Sequence, residues 1–401
     1  MTPVKDVTTA LKHYIQSFEV DLHDSRLFNG LLGSTAYDAV RYFEPSVSIR
    51  PREQKLADIP DMQYLLYRFI IQVNHFRNEM NIIENTIEGG KSKLDELVSI
   101  IHNNNIAVYP FKAKDDLESP VTDEEYIEME KRGTAHAKRG DVFQIVLSRR
   151  YSQGFTGDEF NVYRALRSVN PSPYLFFFDF GSFKVLRSSP ETHFRVTSDR
   201  KAYINPIAGT FRRTSDDAKD HELAKRLLND PKENAEHIML VDLARNDLSR
   251  SGGKVHVEFL KQIQFYSHVI HMVSCVVADL PEDADVYRLF GETLPAGTLS
   301  GAPKVRAMQL IGEMEPHSRV TYAGCFKIVS NNTEGILEAK DLGLTAGKQK
   351  DLFGGNIIAE AAAVFDDELS ETASERKKNC VIANAAFAIK TLDPEMELKK
   401  R

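Results

Sequence analysis

The sequence has no surplus of basic residues and no long apolar run. Its 401 residues contain 51 Lys and Arg against 58 Asp and Glu, which gives a formal net charge of −7. Nucleic-acid-binding proteins need a positively charged surface, so this balance argues against one. No window approaches the roughly 20 consecutive apolar residues that span a membrane. We therefore expect neither nucleic-acid nor membrane partners.

Signals for export and for cysteine-based sites are also lacking. Charged residues from Lys5 to Asp21 interrupt the N-terminal apolar stretch, so no secretory signal is predicted there. The three cysteines, Cys275, Cys325 and Cys380, are too few and too scattered for a disulfide framework or a zinc site. Apolar residues make up an ordinary 42% of the chain. An enzyme-sized protein of the cytoplasm is the resulting expectation.

Local patterns predict helices mixed with strands that are joined by short turns. Thr122–Glu125 has the spacing of a capping box, and the helix that it starts is expected to end at Gly140. The segments Tyr174–Phe180 and Phe183–Leu186 have the pattern of a hairpin, and Val142–Leu147 that of a further strand. Antiparallel neighbours of this kind, combined with helices, predict the α+β class.

Two pairs of glutamates are each spaced by three residues, Glu233 with Glu236 and Glu368 with Glu371. Two such pairs facing each other would form an oxygen cage suited to Mg²⁺. Helix starts favour acidic residues for a simpler reason, which is the helix dipole, and Glu233 could also close a capping box with Asp230. Judged on spacing alone, the simpler explanation is the better one.

Two segments rich in small residues could bind an anion through exposed backbone N–H groups. They are Pro206–Thr210 and Pro295–Lys304, and the second precedes a predicted helix but lacks P-loop spacing. Ordinary tight turns explain both equally well. Arg245–Asp247 predicts a buried polar network rather than reacting groups. His268 and His271, taken singly, are best interpreted as structural.

Five segments between Gly140 and Met308, taken together and in their order along the chain, resemble the chorismate-utilising enzymes. Among these enzymes they are most similar to the large subunits of anthranilate synthases. The resemblance covers about residues 25–325 and is specific only in combination. It is carried by Gly140–Ser148, Ser188–Glu191, Pro206–Thr210, Asp230–Asp247 and Pro295–Met308. It implies an α+β fold with two stacked, largely antiparallel sheets and helices outside them.

The resemblance also implies a domain organisation. Residues 1–115 would form a partial N-terminal subdomain, 116–391 a chorismate-binding domain, and 392–401 a polar tail. Family members open with a Leu-Leu-Glu-Ser motif that helps to bind the feedback inhibitor tryptophan. Here the resemblance starts downstream of that motif, so we expect the inhibitor-binding segment to be missing.

The activity implied by the resemblance is the Mg²⁺-dependent conversion of chorismate and ammonia into anthranilate and pyruvate, the first committed step of tryptophan biosynthesis. Glu191 would be the general acid for the leaving 4-hydroxyl, and His271 would assist the loss of pyruvate. The implied Mg²⁺ ligands are Glu233, Glu236, Glu368 and Glu371. The implied substrate-binding positions are Ile207, Ala208, Gly209, Thr210, Thr298, Lys340 and Asn356.

Two positions favour ammonia as the nucleophile. Family members that add water carry a Lys base where this chain has Gln144, which we also count among the catalytic positions. Aminodeoxychorismate synthases of one kind carry a nucleophilic Lys at the position of Ala208. In the family, ammonia comes from a separate glutamine amidotransferase subunit, which is the predicted partner.

Three positions depart from the family pattern. Lys340 aligns with an Arg that grips a substrate carboxylate, and an ammonium does not reproduce the fork of a guanidinium. Asn356 aligns with a Gly that lies against the substrate, and Arg187 replaces another Gly. Two alternatives therefore stay open. One is an impaired paralogue that binds chorismate or the partner without efficient turnover, and the other is a related aminodeoxychorismate-forming enzyme.

Overall fold

The computed structural model describes most of the chain up to residue 328. The described residues are 6–18, 29–53, 59–87, 89–103, 109–114, 117–214, 216–250, 253–320 and, for the backbone alone, 324–328. By its internal contacts the chain divides into Met1–Thr333 and Glu334–Arg401, and every described residue lies in the first unit. Four of the predicted site residues lie outside the described residues: Lys340, Asn356, Glu368 and Glu371. The predicted domain boundaries at 115 and 391 stay predictions.

Helices occupy the positions where the sequence has capping residues and amphipathic patterns. The α-helices of the described residues are α1 (Val7–Gln16), α2 (Leu94–His102), α3 (Asp123–Arg139), α4 (Phe160–Val169), α5 (Asp217–Asn229), α6 (Pro231–Ser249), α7 (Val286–Thr293) and α8 (Lys304–Met314). The capping box at the start of α3 is present, with the Glu125 amide donating to Thr122 and the Thr122 amide donating to Glu125. Gly140 ends this helix with a left-handed φ of 82°, as predicted.

All strand pairs of the described residues are antiparallel. The strands are β1 (Leu31–Thr35), β2 (Met62–Leu66), β3 (Phe69–Asn74), β4 (Glu79–Glu84), β5 (Lys112–Ala113), β6 (Gln144–Ile145), β7 (Phe155–Thr156), β8 (Tyr174–Asp179), β9 (Lys184–Ser189), β10 (Arg195–Val196), β11 (Lys201–Ile204), β12 (Ile207–Arg212), β13 (Lys254–Phe265), β14 (Val269–Asp279), β15 (Gly301–Ala302) and β16 (Gly324–Ile328). The predicted hairpin is confirmed as β8 and β9. The predicted strand Val142–Leu147 is wrong in extent, because only Gln144–Ile145 finds a pairing partner, in β15.

A five-stranded sheet forms the centre of the described residues. Its order is β10-β11-β14-β12, with β13 paired to β14. Residues Ile270–Ala278 of β14 are all buried, which is why nearly every position in this strand is apolar or small. Helix α6 packs on this sheet, and Val241, Ala244 and Leu248 join Val276 in the main apolar core. The sheet and α6 thus form a rigid support for the residues that they carry.

A one-residue bulge in β12 shapes the edge of this sheet. Ile207 pairs with Val273 and Thr210 with His271, so three steps along β12 match two along β14. Gly209 lies inside the bulge with a φ of 85°, a backbone conformation that side chains disfavour. The mixture of helices with antiparallel sheets confirms the predicted α+β class. No helix within the described ranges is long and apolar enough to cross a membrane.

Candidate functional site

Glu191 lies just beyond the end of β9 and contacts the loop that precedes α8. The hydroxyl of Thr298 is 3.1 Å from its Oε1 and 3.0 Å from its Oε2. Burial raises the pKa of Glu191, while the Thr298 hydroxyl and the charge of Arg187 act in the opposite direction. The Gly-to-Arg departure at 187 therefore places a cation where it acts on the predicted general acid. Glu191 is a carboxyl group biased towards its neutral form.

Glu233 lies over the β12 bulge. Its Oε2 is 3.4 Å from the position that a Cβ on Gly209 would occupy, so the absence of a side chain there lets α6 approach the bulge. Asp230 caps α6 by accepting from the amides of Lys232 and Glu233. In a capping box the Asp230 amide would donate to the Glu233 side chain. Here this amide donates to the Leu227 carbonyl instead. The carboxylate of Glu233 is therefore not used for capping.

Glu236 lies beside Gln144. The amide Nε2 of Gln144 donates to Glu236 Oε1 at 2.8 Å. The amide oxygen of Gln144 is buried and has no hydrogen-bond partner among the described residues. The pairing of β6 with β15 brings Gln144 opposite Ala302 and so beside the Pro295–Lys304 loop. An amide in this position can orient a carboxylate but does not take up a proton.

His271 and Thr210 face each other across the β12–β14 pair. Thr210 Oγ1 and His271 Nδ1 are 3.0 Å apart. Burial lowers the pKa of His271, against a smaller opposite effect of a hydrogen bond with the Gly209 backbone. The imidazole is therefore neutral near pH 7 and can accept a proton.

Ala208 and Ile207 complete the bulge. The Ala208 carbonyl accepts from Nδ1 of the buried His237 at 3.3 Å, and His237 Nε2 is 2.6 Å from the Ser274 hydroxyl. These bonds tie the bulge to α6 and β14 together. The structure thus brings the described members of the predicted set into one region built on β12, β14, α6 and the 295–304 loop.

The predicted metal site is represented among the described residues by Glu233 and Glu236. Among the described residues no group of three or more His, Cys, Asp and Glu side chains is arranged for a metal ion. Glu233 and Glu236 are both partly buried, and within the described ranges neither forms an ion pair with a Lys or Arg. Their oxygens fit one half of the Mg²⁺ cage implied by the resemblance. Glu368 and Glu371, the other half, lie outside the described residues.

Beneath this region the structure holds a buried ion pair that the sequence analysis predicted only as a polar network. Lys304 Nζ is 2.6 Å from Asp247 Oδ2 and donates to the Thr293 carbonyl at 2.7 Å. Both charged side chains are buried. His193, which the sequence analysis did not single out, lines a cavity together with Glu191. Its spacing of two from Glu191 is the one signal in the sequence that points to it.

Comparisons with known proteins identify the family of this chain. A family model described as chorismate binding enzyme matches residues 3–338. Anthranilate synthase component 1 of Aquifex aeolicus (strain VF5) is 36% identical over 403 residues, covering 93% of this chain and 78% of the relative. The Thermus thermophilus protein of the same name is 38% identical over 305 residues, covering 75% of this chain and 65% of the relative.

The fold is similar to that of a solved relative. The crystal structure of anthranilate synthase component I from Streptococcus pneumoniae TIGR4 superposes with a TM-score of 0.69 at 31% identity, covering 80% of this chain and 73% of that one. The sequence resemblance to this branch is thereby confirmed. This chain belongs to the chorismate binding enzyme family, and within it is similar to anthranilate synthase component 1 proteins.

Proposed function

We propose that the chain is the large subunit of an anthranilate synthase. It would convert chorismate and ammonia into anthranilate and pyruvate in a Mg²⁺-dependent reaction, the first committed step of tryptophan biosynthesis. The observation that carries the proposal is Glu191, a carboxyl group whose pKa is raised by burial and which contacts the Thr298 hydroxyl. A raised pKa favours the protonated carboxyl group that the departure of a hydroxyl requires.

Glu191 and Thr298 would act as one unit. As ammonia forms a bond to C2 of the chorismate ring, the ring double bond shifts, the C4–O bond breaks, and Glu191 transfers its proton to the departing 4-hydroxyl, which leaves as water. The resulting carboxylate at Glu191 accepts a hydrogen bond from Thr298, whose oxygen is within 3.1 Å of both carboxylate oxygens. This bond favours the ionised form, so it stabilises the acid after proton transfer rather than before it.

His271 would assist the second stage, the loss of pyruvate. Its neutral imidazole, held through Nδ1 by Thr210, can receive a proton from the ring as the enolpyruvyl group departs. Ile207, Ala208 and Gly209 present the backbone of the bulge, where a planar substrate can approach closely. The supporting observation is the left-handed Gly209 between them.

Mg²⁺ would be held at the start of α6. Glu233 and Glu236 would supply two of its carboxylate ligands, with Glu368 and Glu371 as the implied second pair. When bound, the ion neutralises the carboxylates and fixes the ring carboxylate of the dianionic substrate. Gln144 would position Glu236 through its 2.8 Å hydrogen bond.

The choice of nucleophile follows from two side chains that are not lysine. Gln144 cannot act as a base towards water, and Ala208 offers no amine. Ammonia is therefore the proposed nucleophile, delivered in a cytoplasmic complex by a separate glutamine amidotransferase subunit. Relatives named anthranilate synthase component 1 support this assignment over the addition of water.

The test is a product assay with the chain alone. Chorismate, Mg²⁺ and excess ammonium should give anthranilate, measured by its fluorescence and by mass spectrometry. Glu191→Gln should lower kcat about 10²–10⁴-fold, the usual contribution of a general acid. Folded protein that binds chorismate without turnover would support the impaired paralogue instead. A product that retains its enolpyruvyl group would identify an aminodeoxychorismate-forming enzyme.

A further inference from the structure

A small cavity adjoins Glu191 on the side of α6. Its volume is about 30 Å³, and its polar wall consists of Glu191, His193, Asp247, Thr293 and Thr298. A space of this size holds a water molecule when several polar groups line it. The cavity therefore connects the proposed acid to groups that the proposed function does not use.

Thr293 determines which nitrogen of His193 carries the proton. The Thr293 hydroxyl donates its single hydrogen to the Phe290 carbonyl at 2.8 Å. His193 Nε2 is 3.2 Å from the same hydroxyl oxygen, so Nε2 must carry a hydrogen and donate it. Burial lowers the pKa of His193 to about 3, which keeps the ring neutral near pH 7. His193 Nδ1 is therefore an unprotonated acceptor.

Among the described residues, no donor forms a hydrogen bond with this nitrogen. His193 Nδ1 is buried and has no hydrogen-bond partner there. Buried polar atoms in folded proteins are nearly always hydrogen-bonded, to protein or to ordered water. His193 and Glu191 line the same cavity, which has room for one water molecule as the donor.

We propose that His193 is a positioning residue that holds Glu191 in its protonated form, through a water molecule in the cavity between them. The water donates to His193 Nδ1 and accepts from the Glu191 carboxyl. The inference rests on the proposed role of Glu191 as the acid of the reaction. It assigns a function to a side chain two residues further along the chain.

The direction of the hydrogen bonds in this series determines its effect on the protonation of Glu191. Glu191 donates to the water, the water to His193 Nδ1, His193 Nε2 to Thr293, and Thr293 to the Phe290 carbonyl. Each donor points away from Glu191, so only the protonated carboxyl completes the series. A hydrogen bond made by the neutral form raises the pKa of an acid, in the same direction as burial.

The charged groups near the cavity are few and can be kept constant. Arg187 favours the ionised form of Glu191, and the Asp247–Lys304 pair lies in and next to the cavity wall. None of these three is changed by substituting His193. A change in the protonation of Glu191 in His193 variants can therefore be attributed to the loss of the Nδ1 acceptor.

Two substitutions separate the two nitrogens of the ring. His193→Asn places its amide oxygen near the position of Nδ1 and loses the contact with Thr293. His193→Gln places its amide NH₂ near the position of Nε2 and removes the cavity acceptor. The proposal predicts that the Gln variant lowers the apparent pKa of Glu191, while the Asn variant keeps it near that of the parent.

Three readouts follow the protonation state. In the pH profile of kcat, the falling limb should move to lower pH by about one unit in His193→Gln, the size expected for one lost hydrogen bond to the acid. Above that limb kcat should be about tenfold lower. In the infrared spectrum, the carbonyl stretch of the protonated Glu191 carboxyl, assigned with Glu191→Gln, should disappear at lower pH. In ¹⁵N NMR of the parent, His193 Nδ1 should show an unprotonated, hydrogen-bonded nitrogen.

The outcomes distinguish this inference from the proposed function. If the parent makes no anthranilate at any pH, the proposed function fails, and the infrared and NMR readouts still test the link between His193 and Glu191. If the parent is active but His193→Gln keeps the parental limb and infrared titration, the link is wrong. A protonated or unbonded Nδ1 in the parent would overturn it equally. Should the His193 variants fold poorly, Thr293→Val removes the acceptor for Nε2 and should shift Glu191 in the same direction, with Thr293→Ser as the control.

Discussion

Helix α6 carries acidic side chains at both ends, and their surroundings differ sharply. Near its start, Glu233 and Glu236 are partly buried and form no ion pair with a Lys or Arg among the described residues. Towards its end, Asp247 is buried against Lys304 at 2.6 Å. A carboxylate whose charge is already balanced within the fold belongs to the scaffold. One whose charge is not balanced is available to an external cation.

The comparison also explains why the helix can serve both purposes. Its central turns pack on the five-stranded sheet through Val241 and Ala244, which fixes the position of the start of the helix relative to the β12 bulge. The buried pair anchors the 295–304 loop to the same helix, because Lys304 is the last residue of that loop. Glu191 accepts a hydrogen bond from Thr298 of this loop, so the buried pair also supports the position of the proposed acid.

The largest expected effect concerns the buried pair. Lys304→Met leaves Asp247 charged and unpaired in the core, and we expect the free energy of unfolding to fall by about 3–5 kcal/mol. Asp247→Leu should cost about the same, since it leaves Lys304 unpaired. The double variant should recover most of the loss because no buried charge remains. Urea denaturation followed by circular dichroism measures all three.

A matched surface pair on the same helix provides the control. Arg245 and Asp242 form an exposed ion pair, so Arg245→Ala should change stability by about 0–1 kcal/mol. If Lys304→Met were no more destabilising than Arg245→Ala, the buried charge of Asp247 would not distinguish its end of α6 from the rest of the helix.

The next largest expected effect is Mg²⁺-dependent stabilisation at the start of α6, where Glu233 and Glu236 lie. With chorismate present, Mg²⁺ should raise the Tm of the parent, and at a hundredfold excess over Kd the stabilisation should be about 2.7 kcal/mol. Glu236→Gln should lose most of this increment, because it removes a charged ligand. Differential scanning calorimetry with Mg²⁺ and with a chelator measures it. Asp242→Asn, an exposed carboxylate of the same helix, should respond like the parent, and an equal response from Glu236→Gln would contradict the assignment.

A third prediction concerns the titration of Glu191. Unfolded Glu titrates near pH 4.3, and burial raises the pKa of Glu191 in the folded state. The stability contributed by its protonated form is therefore complete below about pH 4.3 and is lost as the pH rises through the folded pKa. Glu191→Gln cannot ionise, so its Tm should rise relative to the parent over this window.

Thr298→Val should also change the titration of Glu191, by raising its pKa. It removes a hydrogen bond that favours the ionised form, so the pKa of Glu191 should rise and the loss of stability should extend to higher pH. A Tm difference between Glu191→Gln and the parent that is constant with pH would show that Glu191 titrates normally.

Sequence reasoning worked where the structure depends on neighbours along the chain. The capping box at Thr122, the stop at Gly140 and the β8–β9 hairpin follow from residues a few positions apart. The pairing of Lys304 with Asp247 joins residues 57 positions apart and depends on how α6 packs. No local pattern reports such a contact.

The candidate site shows the same division. Glu191 was predicted by resemblance alone, and so were the roles of Glu233 and Glu236, whose spacing was better explained by a helix start. The neutral tautomer of His193 depends on which bond Thr293 makes, a tertiary detail without a sequence signature. Patterns therefore predicted the elements, resemblance predicted their roles, and only the packed structure links one polar group to the next.

The smallest expected effect completes the comparison of the two ends of α6. With Mg²⁺ chelated, Glu233→Gln relieves a like-charge contact with Glu236, worth about 0.2–0.5 kcal/mol. It also loses a favourable interaction with the helix dipole, worth about 0.3–1 kcal/mol. These effects oppose each other, so the free energy of unfolding should change by less than about 1 kcal/mol in urea denaturation. A loss comparable to that of Lys304→Met would mean that Glu233 is part of the scaffold in the way that Asp247 is.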